Sequence, residues 1–134
     1  MNILVLQGIL RAAKIKSDEA ISGQIALELI ESRINQARPS EVPKLYDLIL
    51  LDYSMPHLDG PKTARLIRKM LAAKGLPQPY ICCCTSYDED SYCEVAYEAG
   101  MDKLMTKPVN SDKLLAMTKE ILALAQQVRE ESID

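Results

Sequence analysis

Apolar residues in this chain fall into short continuous runs that alternate with stretches of helical spacing. Leu48-Ile49-Leu50-Leu51 is an unbroken apolar run ending in Asp52. Such a run suits a strand buried on both faces of a parallel sheet. Ser54 to Gly60 reads as a loop, and Pro61 suits the first turn of a helix, where its missing N–H does no harm. Ala64, Ile67 and Leu71 mark one face of that helix, and Gly75 and Pro77 end it. Tyr80 to Thr85 is the next strand. Ser86 and Glu89 have capping-box spacing for the following helix. Its inner face is predicted to carry Tyr92, Val95, Ala96 and Ala99, with Gly100 as its stop. Lys103 to Thr106 is a short strand, followed by Lys107-Pro108. Ser111 or Asn110 caps a last helix with Leu114, Thr118, Ile121, Leu122 and Ala125 on one stripe. The polar tail Arg129 to Asp134 is expected to fray.

Upstream the pattern is weaker. Lys16 to Ile21 is a strand candidate. Ser22-Gly23 turns into a helix with Ala26, Leu27, Ile30 and Ile34 facing inward. Asn35 to Lys44 holds two prolines and reads as a surface loop. Strands alternating with helices at this spacing predict an α/β fold, a doubly wound parallel sheet with right-handed crossovers.

The length of 134 residues and the 48% hydrophobic content suit one compact domain over residues 1–134. The net charge of -3 excludes a basic nucleic-acid footprint. No apolar run approaches membrane-spanning length, and no basic region precedes the apolar start as in a signal peptide. No direct nucleic-acid or membrane contact is expected, and the chain reads as cytoplasmic. Cys82, Cys83 and Cys84 sit on a predicted strand and alternate faces, so they cannot converge on one metal. With Cys93 they read as reduced thiols.

In an open parallel sheet, ligands sit at the carboxyl ends of the strands. Asp52, Thr85 and Lys107 stand at three successive strand ends. Alone, each has a bland reading: a turn former, a strand-end hydroxyl, a solvated charge. Together they make sense for phosphoryl transfer. The carboxylate can act as nucleophile and form an acyl phosphate. The lysine can neutralise phosphoryl oxygens, and the hydroxyl can donate to another oxygen. A hard cation such as magnesium would offset the remaining charge. His57, the only histidine, reads as a loop residue, because the chemistry already has its nucleophile.

These motifs resemble the response-regulator receiver family of two-component phosphorelays. Asp47 to Gly60, with Asp52, Met55-Pro56 and Asp59-Gly60, is similar to the family's acceptor motif. Thr85-Ser86 is similar to its switch hydroxyl and the small residue after it. Ala99-Gly100-Met101-Asp102 and Lys107-Pro108 resemble the segment leading to its active-site lysine. The likeness covers about residues 15 to 125, and is greatest to receivers fused to hybrid histidine kinases. It implies a flavodoxin-like fold with Asp52 as phosphoacceptor and Thr85 and Lys107 contacting the phosphoryl group. The Ser54 backbone carbonyl and Asp52 would help hold Mg2+. The implied partner is a histidine kinase or a histidine phosphotransfer domain. The chain would thus accept a phosphoryl group and would not itself be an enzyme.

Two positions depart from the family. Leu104 stands where an aromatic switch residue is usual. The adjacent acidic pair that closes the first strand and binds magnesium is not found, and Asp18 and Glu19, placed too close to Ser22-Gly23, read as solvated charges. Two alignments account for the missing pair. Met1 to Leu6 is the first strand and Gln7-Gly8 replaces the acids. Alternatively, Asn2 to Ala13 is the first helix and the first strand is missing from the chain. The helical reading is preferred, because only eight residues, Gln7 to Lys14, would otherwise remain for a loop and helix. It predicts weak magnesium binding and a vacant central strand position, and hence a homo-oligomer. Two other functions compete. A pseudo-receiver would keep the fold and bind partners without efficient phosphorylation. An aspartyl phosphatase usually needs a second aspartate two residues after the nucleophile, where this chain has Ser54.

Overall fold

The computed structural model describes residues 3–6, 18–20, 22–41, 43, 45–52, 59–85, 90–106 and 111–131. Five strands form one sheet: β1 (Ile3–Leu6), β2 (Asp18–Ala20), β3 (Leu48–Asp52), β4 (Tyr80–Thr85) and β5 (Lys103–Thr106). They lie in the order β2-β1-β3-β4-β5, and every pair is parallel. Four helices accompany them: α1 (Gly23–Gln36), α2 (Gly60–Ala73), α3 (Asp90–Glu98) and α4 (Ser111–Glu131).

The first element corrects the preferred sequence reading. Ile3–Leu6 is a strand between β2 and β3, with Leu4 beside Asp18 and Ile49. The sheet therefore has its first strand, and no vacancy calls for a second chain. The physical reason is partner supply. A segment rich in β-branched residues here finds hydrogen-bonding neighbours on both edges, which outweighs its passable helical spacing. Residues 7–17, which join β1 to β2, lie outside the described residues.

Alternation along β3 and β4 sorts the core onto two faces. Ile49, Leu51, Ile81 and Cys83 pack with Ala26 and Ile30 of α1 and with Ala64, Ile67 and Leu71 of α2. Leu48, Leu50 and Cys82 pack with Leu114, Met117 and Ile121 of α4. Each fully buried Leu or Ile contributes roughly 1.5–3 kcal/mol before the entropy of ordering is counted. The three consecutive thiols are buried, and none is in a disulfide. Hydrogen bonding to Cys84 and burial push the Cys82 thiol well above its ordinary range.

Local chemistry sets the helix ends. Ser22 Oγ accepts from Ile25 N at 3.2 Å and caps α1. Asp59 accepts from Lys62 N at 2.9 Å and caps α2, with Pro61 in the first turn. Gly75, at φ +65, closes α2, with Gly75 N donating to Ala72 O and Leu76 N to Leu71 O. Gly100, at φ +91, closes α3 in the same way through Tyr97 O and Ala96 O. Two expectations fail. Val95 is 41% exposed rather than inward, because Ala96 and Ala99 already point the narrow inner face of α3 at the sheet. The last helix runs on to Glu131, past the expected start of fraying at Arg129. The capping box of Ser86 and Glu89 and the alternative cap Asn110 lie outside the described residues.

Candidate functional site

Parallel register brings two of the sequence-predicted residues to the carboxyl edge of the sheet. Asp52 is the last residue of β3 and Thr85 the last of β4. Asp52 lies beside Cys84 in the ladder, so Thr85 stands one residue further along the neighbouring strand. Both side chains are buried, 6% and 2% exposed. A carboxylate at a strand end this deep is unusual, and it shares that edge with a hydroxyl able to donate to a bound anion. Thr85 in turn lies beside Thr106, the final residue of β5. Lys107 follows Thr106 directly in sequence, but Lys107, Ser54 and His57 lie outside the described residues.

Asp59 of the acceptor motif and Asp102 of the segment before the lysine hold local structure here. Asp59 is the α2 cap, and its carbonyl accepts from Thr63 Oγ1 at 2.8 Å. Asp102 accepts from Ile81 N and from Arg68, both at 2.8 Å. Arg68 also donates to the carbonyls of Gly100 and Pro79. This clamp ties α2 to the ends of α3 and the starts of β4 and β5. Leu104 packs against the α1–α2 side of the core and holds no aromatic ring that could rotate.

A hard cation of the family kind would want several carboxylate oxygens at this edge. The sequence instead puts Gln7 and Gly8 straight after β1. Among the described residues no group of three His, Cys, Asp or Glu could hold a metal ion. The donor set among the described residues does not fit tight magnesium binding.

Asp18 is not simply solvated. Its Oδ2 accepts from Tyr46 Oη at 2.6 Å and from Arg33 Nη2 at 2.8 Å, and the guanidinium lies 4.3 Å from the Tyr46 ring centroid. The Tyr46 and Arg33 hydrogen bonds hold the Asp18 carboxyl below its usual range. Burial, with help from Asp18, pushes the Tyr46 phenol up to about 12. These side chains line a cavity of about 500 Å3 together with Leu29, Gln36 and Glu41. It lies at the amino end of the strands, away from Asp52. Sequence spacing gave no signal of this trio, because its members are 15 and 28 residues apart.

The response regulator receiver domain family matches residues 1–119. This chain belongs to that family. As a receiver it is similar to hybrid signal transduction histidine kinase M of Dictyostelium discoideum, 29% identical over 122 residues. That match covers 91% of this chain and 5% of the kinase. Probable histidine kinase 2 of Oryza sativa subsp. indica is 32% identical over 96 residues, 69% of this chain and 9% of that protein. The receiver thus spans a small part of these relatives. A solved structure of the receiver domain of the histidine kinase CKI1 from Arabidopsis thaliana, complexed with Mg2+, superposes with a TM-score of 0.74 at 27% identity. It covers 90% of each chain. Among the described residues, no helix of this receiver is long and apolar enough to cross a membrane.

Proposed function

We propose that this receiver accepts a phosphoryl group on Asp52 from a phosphohistidine of a histidine kinase or a histidine phosphotransfer domain. The observation that carries the reading is that buried Asp52 and buried Thr85 end adjacent parallel strands at the carboxyl edge of the sheet. A carboxylate oxygen of Asp52 attacks phosphorus. The new bond is P–O, the bond broken is P–N, and the departing imidazole nitrogen takes a proton from solvent. Thr85 then donates to a phosphoryl oxygen, and Lys107, next after β5, supplies the positive charge. Magnesium would supply further charge neutralisation when bound, and Asp52 and the Ser54 carbonyl are its candidate ligands. Output follows as a shift between two arrangements of the surface near β4 and β5.

A second reading has its own support. Gln7-Gly8 in place of two acids and Leu104 in place of an aromatic ring favour a pseudo-receiver, which binds partners without efficient phosphorylation. Incubation with acetyl phosphate and magnesium, followed by intact mass, separates the two. Phosphotransfer predicts one added phosphoryl group, lost in Asp52→Asn and kept in His57→Ala. An unlabelled wild type supports the pseudo-receiver. Full labelling of Asp52→Asn overturns the assignment.

A further inference from the structure

Charge on the two helices that precede and follow β4 in the chain is segregated. α2 contains Lys62, Arg65, Arg68 and Lys69 and no acidic residue. Arg68 is engaged in the clamp, but Lys62, Arg65 and Lys69 are exposed on one stripe. α3 is the reverse, with Asp90, Glu94 and Glu98 and no basic residue, and Glu94 and Glu98 are exposed. Among the described residues none of these five exposed charges forms an ion pair, although α2 and α3 pack against each other.

This arrangement works against the isolated monomer. Lys62–Arg65 and Arg65–Lys69 are like charges at i,i+3 and i,i+4, which repel on a helix surface. Lys62 also stands in the first turn, where the macrodipole disfavours a cation. Apolar side chains accompany the charges. Leu66 on α2 is 42% exposed, and on α3 Val95 is 41% and Tyr97 55% exposed. Among the described residues Leu124 is the one other large apolar side chain as exposed as these.

We infer that the α2–α3 surface is a self-association face whose occupant is a second copy of this chain. A two-fold axis that lays α2 of one copy on α3 of the other sets cations against carboxylates twice over. Leu66 on α2, and Val95 and Tyr97 on either side of Glu94 and Glu98 on α3, add apolar contact area beside the charges. A foreign acidic partner fits less well, because covering α2 would bring it against Glu94 and Glu98. An anionic membrane meets the same carboxylates and too few apolar anchors. The inference does not depend on phosphorylation of Asp52.

Charge exchange tests it. In sedimentation velocity at low salt the wild type should show a concentration-dependent monomer–dimer equilibrium. Half-molar salt should weaken it by about tenfold or more, since exposed charges are screened. Arg65→Glu/Lys69→Glu and Glu94→Lys/Glu98→Lys should each be monomeric, with far-UV circular dichroism verifying their fold. An equimolar mixture of the two should dimerise again, because each α2 then faces an opposite α3. Carbodiimide coupling of mixed 14N and 15N wild-type protein gives a readout without substitution. It should join Lys62 or Lys69 of one copy to Glu94 or Glu98 of the other. A wild type that stays monomeric at low salt overturns the inference, as does a dimer indifferent to both charge reversals, a mixture that does not reassociate, or coupling confined to other residues. Capture of a poly-glutamate peptide by a monomeric wild type would overturn it in favour of a foreign acidic partner.

Discussion

Asp18 gathers two donors at the amino edge of the sheet, and its charge is therefore worth something to the fold. Its carboxyl is held below the usual range by Tyr46 first and Arg33 second, so it contributes stability above its unfolded value, and that contribution fades as pH falls through the folded value. Its side chain is 46% exposed, so solvent screening keeps the ion pair itself below about 1 kcal/mol. Asp18→Asn should lower the melting temperature at pH 7, and the gap to wild type should close below about pH 4. A gap that stays constant down to pH 3 would show that the carboxylate charge is not what matters. At the other edge, Asp52 and Thr85 were legible as chemistry because an apolar run delivers each to a strand end. Asp18 was not, because its partners come from a helix and a loop that sequence spacing does not connect.

Glycines and caps fix where the helices stop, and these signals read well from sequence. Gly75 and Gly100 both stand at positive φ, and each, with the residue after it, donates the two hydrogen bonds of a tight helix stop. Their surroundings differ. A Cβ at Gly75 would meet nothing within 4 Å, whereas one at Gly100 would lie 3.2 Å from Arg68 Cγ. Gly75→Ala should therefore cost only backbone strain, about 1 kcal/mol. Gly100→Ala should cost more, about 2 kcal/mol or above, since it also disturbs the Arg68 clamp. Urea denaturation midpoints check this, and equal costs would contradict the role given to Arg68. Val95 shows the limit of periodicity in a short helix. Two alanines suffice to seat α3, so a larger apolar neighbour is left for the surface.

Across the whole molecule, the alternation of strand and helix predicted the parallel sheet and its two-faced core. The placement of the central strand was the failure. Ile3–Leu6 has only four residues, and short apolar runs satisfy helical and extended spacing alike. Only its hydrogen-bonding neighbours decide the matter, and these lie in β2 and β3. With the strand in place, Gln7 and Gly8 follow it in sequence at the positions of the family's acidic pair, so the expectation of weak magnesium binding stands. Titration calorimetry should find magnesium affinity rising about tenfold or more in Gln7→Asp/Gly8→Asp, since two more carboxylates approach the ligand count of an octahedral site. Unchanged affinity would mean that these positions do not face Asp52. The central claim, that Asp52 takes the phosphoryl group, has a direct chemical readout. Protein treated with acetyl phosphate and magnesium is reduced with borohydride, which converts an aspartyl phosphate to homoserine, and the product is mapped by peptide mass spectrometry. The account predicts homoserine at position 52 alone; homoserine at Asp59 or another carboxylate, with Asp52 unmodified, would contradict it.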